Sequence, residues 1–254
     1  MPTNESFRVL VFSVPDDRQQ STALLQRELG LVHADAAVLA RSLPGLIGHE
    51  LSQDSAVRLA AAFRDLGVTA TTIDESEIPD LSHSRRVHHL KCDASGLTVI
   101  DADGREEAPS PWSKLDVVSV GSVPADDPPH YHAAPLASMR SRTKLTSGSG
   151  ESESPEMLIC CLVLSDPLRM VCFEHREMNY EYLTDRKSSS SRTNFATVVK
   201  DLAHHAPDAW LTPATHTFID HGLTRHYQFQ STEEFERSTA FQYLVSQHLR
   251  SQSQ

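Results

Sequence analysis

The first 75 residues contain a succession of patterns that fits one small folding unit. Phe7–Val14 is apolar at both odd and even positions, which predicts a strand buried on both faces and therefore central in its sheet. Apolar residues at helical spacing, and then a β-branched run, predict the elements that follow. These are helices over Ser21–Leu29, Ala34–Leu43 and Ala56–Leu66, an edge strand near Leu46–Leu51, and a closing strand over Val68–Ile73. The order predicts a three-stranded α/β sandwich with helices on one face.

Part of this unit resembles a known family. The run Val38-Leu39-Ala40-Arg41-Ser42-Leu43-Pro44, then Leu51–Ala56 and Leu59–Val68, is similar to the C-terminal domain of the bacterial ribosomal stalk protein, and to the protease adaptor with the same topology. The resemblance covers about 65 of the 254 residues and implies a bacterial interaction domain. The stalk domain recruits translation factors through lysine-rich helices. Residues 1–80 contain no lysine, so we do not expect the same partners.

A polar stretch separates this unit from a second, β-rich region. We predict an α/β sandwich over residues 1–76, a linker over 77–86, and an α+β domain over 87–254. The second domain is predicted to contain strands, an inserted loop over 122–156 that is rich in Pro, Ser and Gly, and closing helices. Its predicted strands are Val87–Asp93, Leu97–Asp101, Arg105–Pro109, Leu115–Val120, and the buried hairpin of Met157–Leu164 and Leu168–Phe173. Its helices are expected to be capped by Asn194, by Thr212 with Pro213 in the first turn, and by Ser231. The fold class expected for the whole chain is α+β.

The strand-rich part of the second domain has a looser resemblance. Its Gly-Leu-Thr-Val…Trp-Ser-Lys-Leu-Asp-Val-Val segment, followed by helices, is similar to bacterial pleckstrin-homology-like domains of uncharacterised proteins, over residues 87–205. That resemblance implies a small barrel closed by a helix.

Charge and hydropathy exclude several classes of partner. The formal net charge is −11, with 6 Lys and Arg against 12 Asp and Glu in residues 1–80. Phosphate backbones require a basic stripe, so nucleic-acid binding is not expected. No apolar run approaches the roughly 18–20 residues of a membrane span, and Met1–Ser6 lacks the pattern of a signal peptide. We therefore expect a cytoplasmic protein with no membrane span.

The cysteines and histidines are the candidates for metal binding. Four cysteines do not make a secreted disulfide framework at this length, and the adjacent Cys160 and Cys161 are expected to be buried thiols. Fourteen histidines are more than this length predicts. The best candidate ligands are spread along the second domain: His88, Cys92, Cys172 and His175. Zinc needs three or four convergent ligands, and no Cys-x-x-Cys or His-Glu-x-x-His spacing occurs, so we predict no metal or cofactor.

Other polar groups suggest binding more than catalysis. No Gly-x-Ser-x-Gly elbow or phosphate-binding glycine loop occurs, and we assign no catalytic or cofactor-binding residue. Ser188–Ser191, beside Arg186, Lys187 and Arg192, is either a solvated loop or a flexible anion-binding loop. Arg140, Arg142 and Lys144 form a small basic group in the inserted loop. Tyr180 and Tyr182 are expected to share one face of a strand, in the core or as a recognition pair.

Two hypotheses follow. The first is a non-enzymatic protein-interaction or regulatory protein, in which one or both domains bind a protein partner. The alternative is an enzyme that binds a metal or small ligand through the His- and Cys-rich second domain. The absence of catalytic motifs favours the first, and the sequence leaves enzymatic activity open.

Overall fold

The computed structural model describes residues 6–13, 17–41, 43–81, 83–100, 103–125, 156–222 and 227–252. They form helices and several sheets, so the predicted α+β class is confirmed. The chain divides into two compact units. Unit 1 comprises Met1–His83 with Arg237–Gln254, and unit 2 comprises Ser84–Glu236. None of the helices in the described ranges has the length and hydrophobicity that a bilayer span requires.

Unit 1 has the predicted order of elements. They are β1 (Phe7–Val11), α1 (Arg18–Leu29), α2 (His33–Arg41), β2 (Gly45–Leu51), α3 (Gln53–Asp65) and β3 (Ala70–Asp74). The strand order is β2-β1-β3, and β1 is antiparallel to both neighbours. The central position predicted for the first strand is therefore confirmed.

Local signals explain where the helices of unit 1 begin and end. The Asp17 carboxylate accepts the Gln19 N–H at 2.7 Å and begins α1, and Gly30, at φ 66°, ends it. Ser52 caps α3 by accepting the Ser55 N–H. The inner faces of these helices meet one face of β1 in a shared core: Val9, Val11, Leu25, Ala36, Leu59 and Phe63.

The opposite face of this sheet is also covered, which differs from the expectation of helices on one face. Leu10 of β1 packs with Phe241 and Leu244 of α6 (Thr232–Gln252), together with Phe12 and Ile73. A strand apolar on both faces needs a second layer to bury its other side. The domain limits 1–76 and 87–254 stay a prediction. Residues 237–254, which that prediction assigns to the second domain, belong to unit 1 in the structure.

The half-buried Glu75 carboxylate organises one end of the unit 1 sheet. Glu75, directly after β3, accepts hydrogen bonds from the Ser6 hydroxyl at 2.6 Å, the Arg8 Nε at 2.9 Å and the Glu50 N–H at 3.2 Å. The Ser6 hydrogen bond, supported by those from Glu50 and Arg8, lowers the pKa of Glu75 to about 2. Glu50 lies at φ 52°, a conformation uncommon for a residue with a side chain, and its N–H is held by Glu75.

The described part of unit 2 contains seven strands, two complete helices and 3-10 turns at Trp112–Lys114 and Glu181–Arg186. The strands and helices are β4 (Ser84–Arg86), β5 (His89–Asp93), β6 (Gly96–Ile100), β7 (Leu115–Pro124), β8 (Glu156–Ser165), β9 (Leu168–Glu174), α4 (Ser191–His205), β10 (Trp210–Leu211) and α5 (Pro213–His221). Five of the strands form one sheet of order β10-β7-β8-β9-β4. The outer strands β10 and β4 are parallel to their neighbours, and the inner pairs are antiparallel. A separate antiparallel hairpin is formed by β5 and β6.

Several predictions for this region are confirmed and others are wrong. The β5–β6 hairpin and the buried β8–β9 hairpin occur as expected. No strand forms over the predicted range Arg105–Pro109, where Glu106 and Ser110 make only isolated bridges to β6. The inserted loop was expected over 122–156, whereas β7 continues to Pro124 and β8 begins at Glu156. Residues 126–155, with the basic group Arg140, Arg142 and Lys144, lie outside the described residues.

One face of the five-stranded sheet packs against α4, α5 and the hairpin. Phe195 of α4 lies at the centre, 5.5 Å from Phe173 and 5.6 Å from Phe218, between ring centroids. Val198, Val199 and Leu202 of α4, Leu97 and Val99 of β6, and Val118 and Leu162 of the sheet complete this core.

The helix α5 is fastened to the sheet by a buried threonine. Thr212 caps the helix and Pro213 follows at the first turn, as predicted. The Thr215 hydroxyl, fully buried, donates to the Val118 carbonyl at 2.9 Å and accepts the Val120 N–H at 2.9 Å. The hydroxyl thus satisfies two main-chain groups of β7 next to the point where the two-residue strand β10 pairs with it.

The start of α6 closes another part of unit 2. The Ser231 hydroxyl accepts the Glu234 N–H at 3.1 Å, which confirms the predicted cap. Phe235, in the first turn, lies against Gly121 of β7, where a Cβ atom would be 2.6 Å from the ring. Only a glycine permits this approach of ring and strand.

Candidate functional site

Cys172, one of the four candidate metal ligands, has a covalent partner. It is bonded to Cys161, its register partner on the neighbouring strand, with a Cα–Cα distance of 4.2 Å. Both residues are fully buried. The expectation of a buried free thiol is therefore wrong for Cys161 and confirmed for Cys160. Because residues on one strand alternate between faces, Cys160 points away from the disulfide.

His175 is a buried, neutral imidazole with a structural role. Its Nδ1 accepts the Leu158 N–H at 3.0 Å, so that nitrogen carries no proton. Burial lowers the pKa of His175 because the charged form loses solvation. The Tyr180 hydroxyl donates to the His175 carbonyl at 2.7 Å, which holds the chain after β9 in place.

The remaining two candidates lie in different surroundings. His88 is exposed, and its Nδ1 lies 3.7 Å from the Glu177 carboxylate. Cys92 of β5 is a free thiol close to Tyr182 and Asp201. Within the part of the chain that the structure describes, no three His, Cys, Asp or Glu side chains are grouped so that they could hold an ion.

A polar cluster of unit 2 lies beside Cys92. Arg186 donates two hydrogen bonds to the Asp201 carboxylate, at 2.8 and 2.9 Å, and the Tyr182 hydroxyl donates to the same carboxylate at 3.3 Å. Burial raises the pKa of Cys92 to about 12, although the Tyr182 hydrogen bond opposes the shift. Burial also raises the pKa of Tyr182. Both groups therefore stay protonated at neutral pH, and a protonated thiol is a poor nucleophile.

This cluster joins the 3-10 segment to α4. Arg186 and Tyr182 belong to the segment Glu181–Arg186, and Asp201 belongs to α4. The hydrogen bond to Asp201 raises the pKa of Arg186, which keeps the two-bond pair charged. The expectation that Tyr180 and Tyr182 share a strand face is wrong, because Tyr182 is in this 3-10 segment and Tyr180 precedes it.

The predicted anion-binding loop has partners within the chain. Asn194 was expected to cap α4, but the helix begins at Ser191 and Ser190 is its cap. The Asn194 amide instead accepts the Ser188 N–H at 2.7 Å and donates to the Ser188 carbonyl at 2.9 Å. Arg186, the first cation of the predicted loop, is bound to Asp201.

Trp112 and the end of α4 form an aromatic stack. The Trp112 ring lies parallel to His205, with a centroid distance of 5.0 Å and an interplanar angle of 11°. The indole N–H donates to the Asp93 carbonyl at 2.7 Å, so the polar edge of Trp112 is satisfied. His204 and His205 are the last two residues of α4.

Exposed apolar side chains are concentrated in unit 1. Four of the five large ones in the described chain belong to it: Val32 at 65% exposure, Val38 at 58%, Val57 at 47% and Leu249 at 41%. Val38 lies on α2 and Val57 on α3, while Val32 precedes α2. Helical spacing places Val57 with Leu59 and Phe63 on the apolar face predicted for its helix, and this prediction is wrong because Val57 is exposed. Val38 lies outside the apolar positions predicted for Ala34–Leu43. These four side chains add exposed apolar surface to unit 1, whose residues 1–80 carry twice as many acidic as basic side chains.

Comparison with known proteins gave no relative. No protein-family model, no curated protein sequence and no solved structure matches the chain. The resemblances to the ribosomal stalk domain and to pleckstrin-homology-like domains therefore stay predictions.

Proposed function

We propose that the chain is a non-enzymatic interaction protein whose unit 1 binds a protein partner through exposed apolar side chains of α2 and α3. The observation that carries this proposal is the exposure of Val38 and Val57, on helices whose other faces are already buried in a core. Full burial of an exposed valine side chain contributes about 1.5–3 kcal/mol. Because Val38 and Val57 are about half exposed, a partner that covers them gains roughly half of that for each.

Charge indicates the chemistry of the partner. Residues 1–80 carry 6 basic against 12 acidic side chains and no lysine. A partner with apolar anchors in a basic rim complements this composition, and charge complementarity raises the rate of association. The resemblance to the stalk domain, an interaction domain, supports the same proposal without supplying its partners.

The arrangement of polar groups in unit 2 supports a structural use of its reactive side chains. Cys92 and Tyr182 are held protonated, and the Nδ1 of His175 is engaged by the Leu158 N–H. The alternative hypothesis, an enzyme using a bound metal, is tested by metal analysis of the purified protein. Stoichiometric zinc or iron would favour that alternative.

The test is affinity capture under native conditions with matched variants. Val38→Gln with Val57→Gln removes the apolar anchors of unit 1, and Leu168→Gln alters an exposed apolar residue of unit 2 at 38% exposure. We expect the wild-type protein and Leu168→Gln to retain the same partner, and the double variant to bind it at least about tenfold more weakly. Higher salt should weaken binding further. Equal recovery by all three proteins would overturn the proposal.

A further inference from the structure

The edge strand β3 has a row of main-chain groups that point away from the sheet. The Phe12 N–H donates to the Thr69 carbonyl at 3.0 Å, which makes residues 12 and 69 a hydrogen-bonded pair with β1. In an antiparallel ladder hydrogen-bonded pairs alternate with non-bonded ones. The residues of β3 whose N–H and C=O groups point outward are therefore Ala70, Thr72 and Asp74. No hydrogen bond among the described residues engages those main-chain groups.

The other sheet edges of the described chain are blunted in ways that β3 is not. The edge strand β2 contains positive φ angles at Gly48 (77°) and Glu50 (52°), and its register with β1 shifts. In unit 2, β4 has three residues and β10 has two. The hairpin strand β6 is bridged by Glu106 and Ser110. Such irregular, short or covered edges prevent strand addition.

The residues of β3 are suited to pairing. The strand reads Ala-Thr-Thr-Ile-Asp, with no proline, lysine or bulge, and all five residues keep a regular register with β1. Thr and Ile favour extended backbone. Ala70 is 4% exposed, and Thr71–Asp74 are half-buried. A regular edge strand whose outward main-chain groups are unpaired accepts another strand through main-chain hydrogen bonds.

We propose that β3 pairs with β3 of a second copy of this chain, antiparallel, about a two-fold axis at Thr72. Thr72 then faces Thr72 of the second copy, and Ala70 faces Asp74. These hydrogen-bonded pairs supply about six main-chain hydrogen bonds and join two three-stranded sheets into one of six strands. The assembly does not depend on the partner surface of α2 and α3.

Self-complementarity favours a second copy over an unrelated peptide. Antiparallel pairing places each Asp74 beside an alanine, so like charges do not meet across the edge. On one face Thr72 meets Thr72, and on the other Thr71 meets Ile73, a pairing of β-branched side chains that stabilises sheets. The same patch thus serves both subunits, as a two-fold interface requires.

The first test is sedimentation over a range of about 1–100 µM with two variants of Thr72. Because the Thr72 N–H points away from β1, Thr72→Pro removes an intermolecular donor without removing a bond of the unit 1 sheet. Thr72→Val keeps the donor and the β-branched shape. We expect a concentration-dependent dimer for the wild-type chain and Thr72→Val, and a dissociation constant at least about tenfold higher for Thr72→Pro. A monomeric wild-type chain, or a dimer that Thr72→Pro leaves unchanged, would overturn the proposal.

The second test reads the register and does not depend on how well the proline variant folds. In a Cys92→Ser background, Thr72→Cys places two thiols on residues about 5.5 Å apart between Cα atoms, within the reach of a disulfide. Thr69→Cys, three residues earlier, places them about 20 Å apart. We expect oxidation to give a covalent dimer for Thr72→Cys alone. Equal cross-linking of both variants, or of neither, contradicts the proposed pairing. An antiparallel edge filled instead by another protein would appear as a hetero-complex lost in Thr72→Pro, and would also reject the second copy as occupant.

Discussion

Replacing Thr215 with valine tests how α5 is held on the sheet of unit 2. The Thr215 hydroxyl has one hydrogen, which it donates to the Val118 carbonyl, and it accepts the Val120 N–H. The Thr212 N–H also reaches the Val118 carbonyl, at 3.2 Å, so that acceptor keeps a partner in the variant. The loss therefore falls on two buried donors that the Thr215 oxygen accepts: the Val120 N–H, at 2.9 Å, and the Thr212 hydroxyl, also at 2.9 Å.

The expected magnitude follows from that accounting. An unsatisfied buried donor costs about 1–3 kcal/mol, and the lost hydrogen bond to Val118 adds about 1 kcal/mol. Thr215→Val keeps the volume of the side chain, so the free energy of unfolding should fall by about 2–4 kcal/mol. Thr215→Ser keeps the hydroxyl and loses one buried methyl group, which costs about 1 kcal/mol. The serine variant is thus the matched control.

Tryptophan fluorescence during urea unfolding measures this difference. Both tryptophans, Trp112 and Trp210, belong to unit 2, and Trp210 lies on β10 next to α5. The signal therefore reports the unit that carries the substitution. Should Thr215→Val unfold at the same urea concentration as Thr215→Ser, within about 0.5 kcal/mol, the hydroxyl would not stabilise the sheet edge as described.

Three further predictions concern other parts of the chain. Glu75→Gln should destabilise unit 1 at pH 7. Because the folded-state pKa of Glu75 is depressed, the difference should shrink as the pH falls below 4.5 and be lost below about 2; circular dichroism of urea unfolding at several pH values tests this. Alanine at both Cys161 and Cys172 should lower the free energy of unfolding by about 2–3 kcal/mol for a separation of 11 residues, and a reductant should then affect only the wild-type chain. Gly121→Ala should destabilise unit 2 by about 1–3 kcal/mol, because the added Cβ clashes with the Phe235 ring. Phe235→Leu in the same chain should recover part of the loss. Equal stability of Gly121→Ala and wild type in urea unfolding would refute the close approach.

Much of unit 1 was predictable because its signals are local. The apolar residues of β1 on both faces predict a central strand, and β1 is central. Helix caps such as Thr212 and Ser231 were found from a short pattern, since a cap depends only on the next three residues. In contrast, the layer that covers Leu10 comes from residues more than 200 positions away, and no local pattern contains that pairing.

The features that sequence analysis missed depend on register or on a choice between local partners. Cys161 and Cys172 become neighbours only once the β8–β9 turn sets the pairing of the strands. Asn194 can cap a helix or bind a loop with equal chemistry, and Ser190 is the residue that acts as the cap. Helical spacing groups the exposed Val57 with the buried Leu59 and Phe63, because spacing alone does not show how much of an apolar face the rest of the unit covers. Val38 lies outside the apolar positions of its helix.

The pairing of Leu10 with Phe241 and Leu244 also has a consequence for biosynthesis. Residues 6–81 leave the ribosome well before residues 237–252, which supply the second cover of their sheet. At roughly 5–20 residues per second, the intervening stretch takes on the order of 10–30 s to translate. During that interval the apolar face of the N-terminal sheet that contains Leu10 is uncovered, so chaperones that bind nascent chains can contact it.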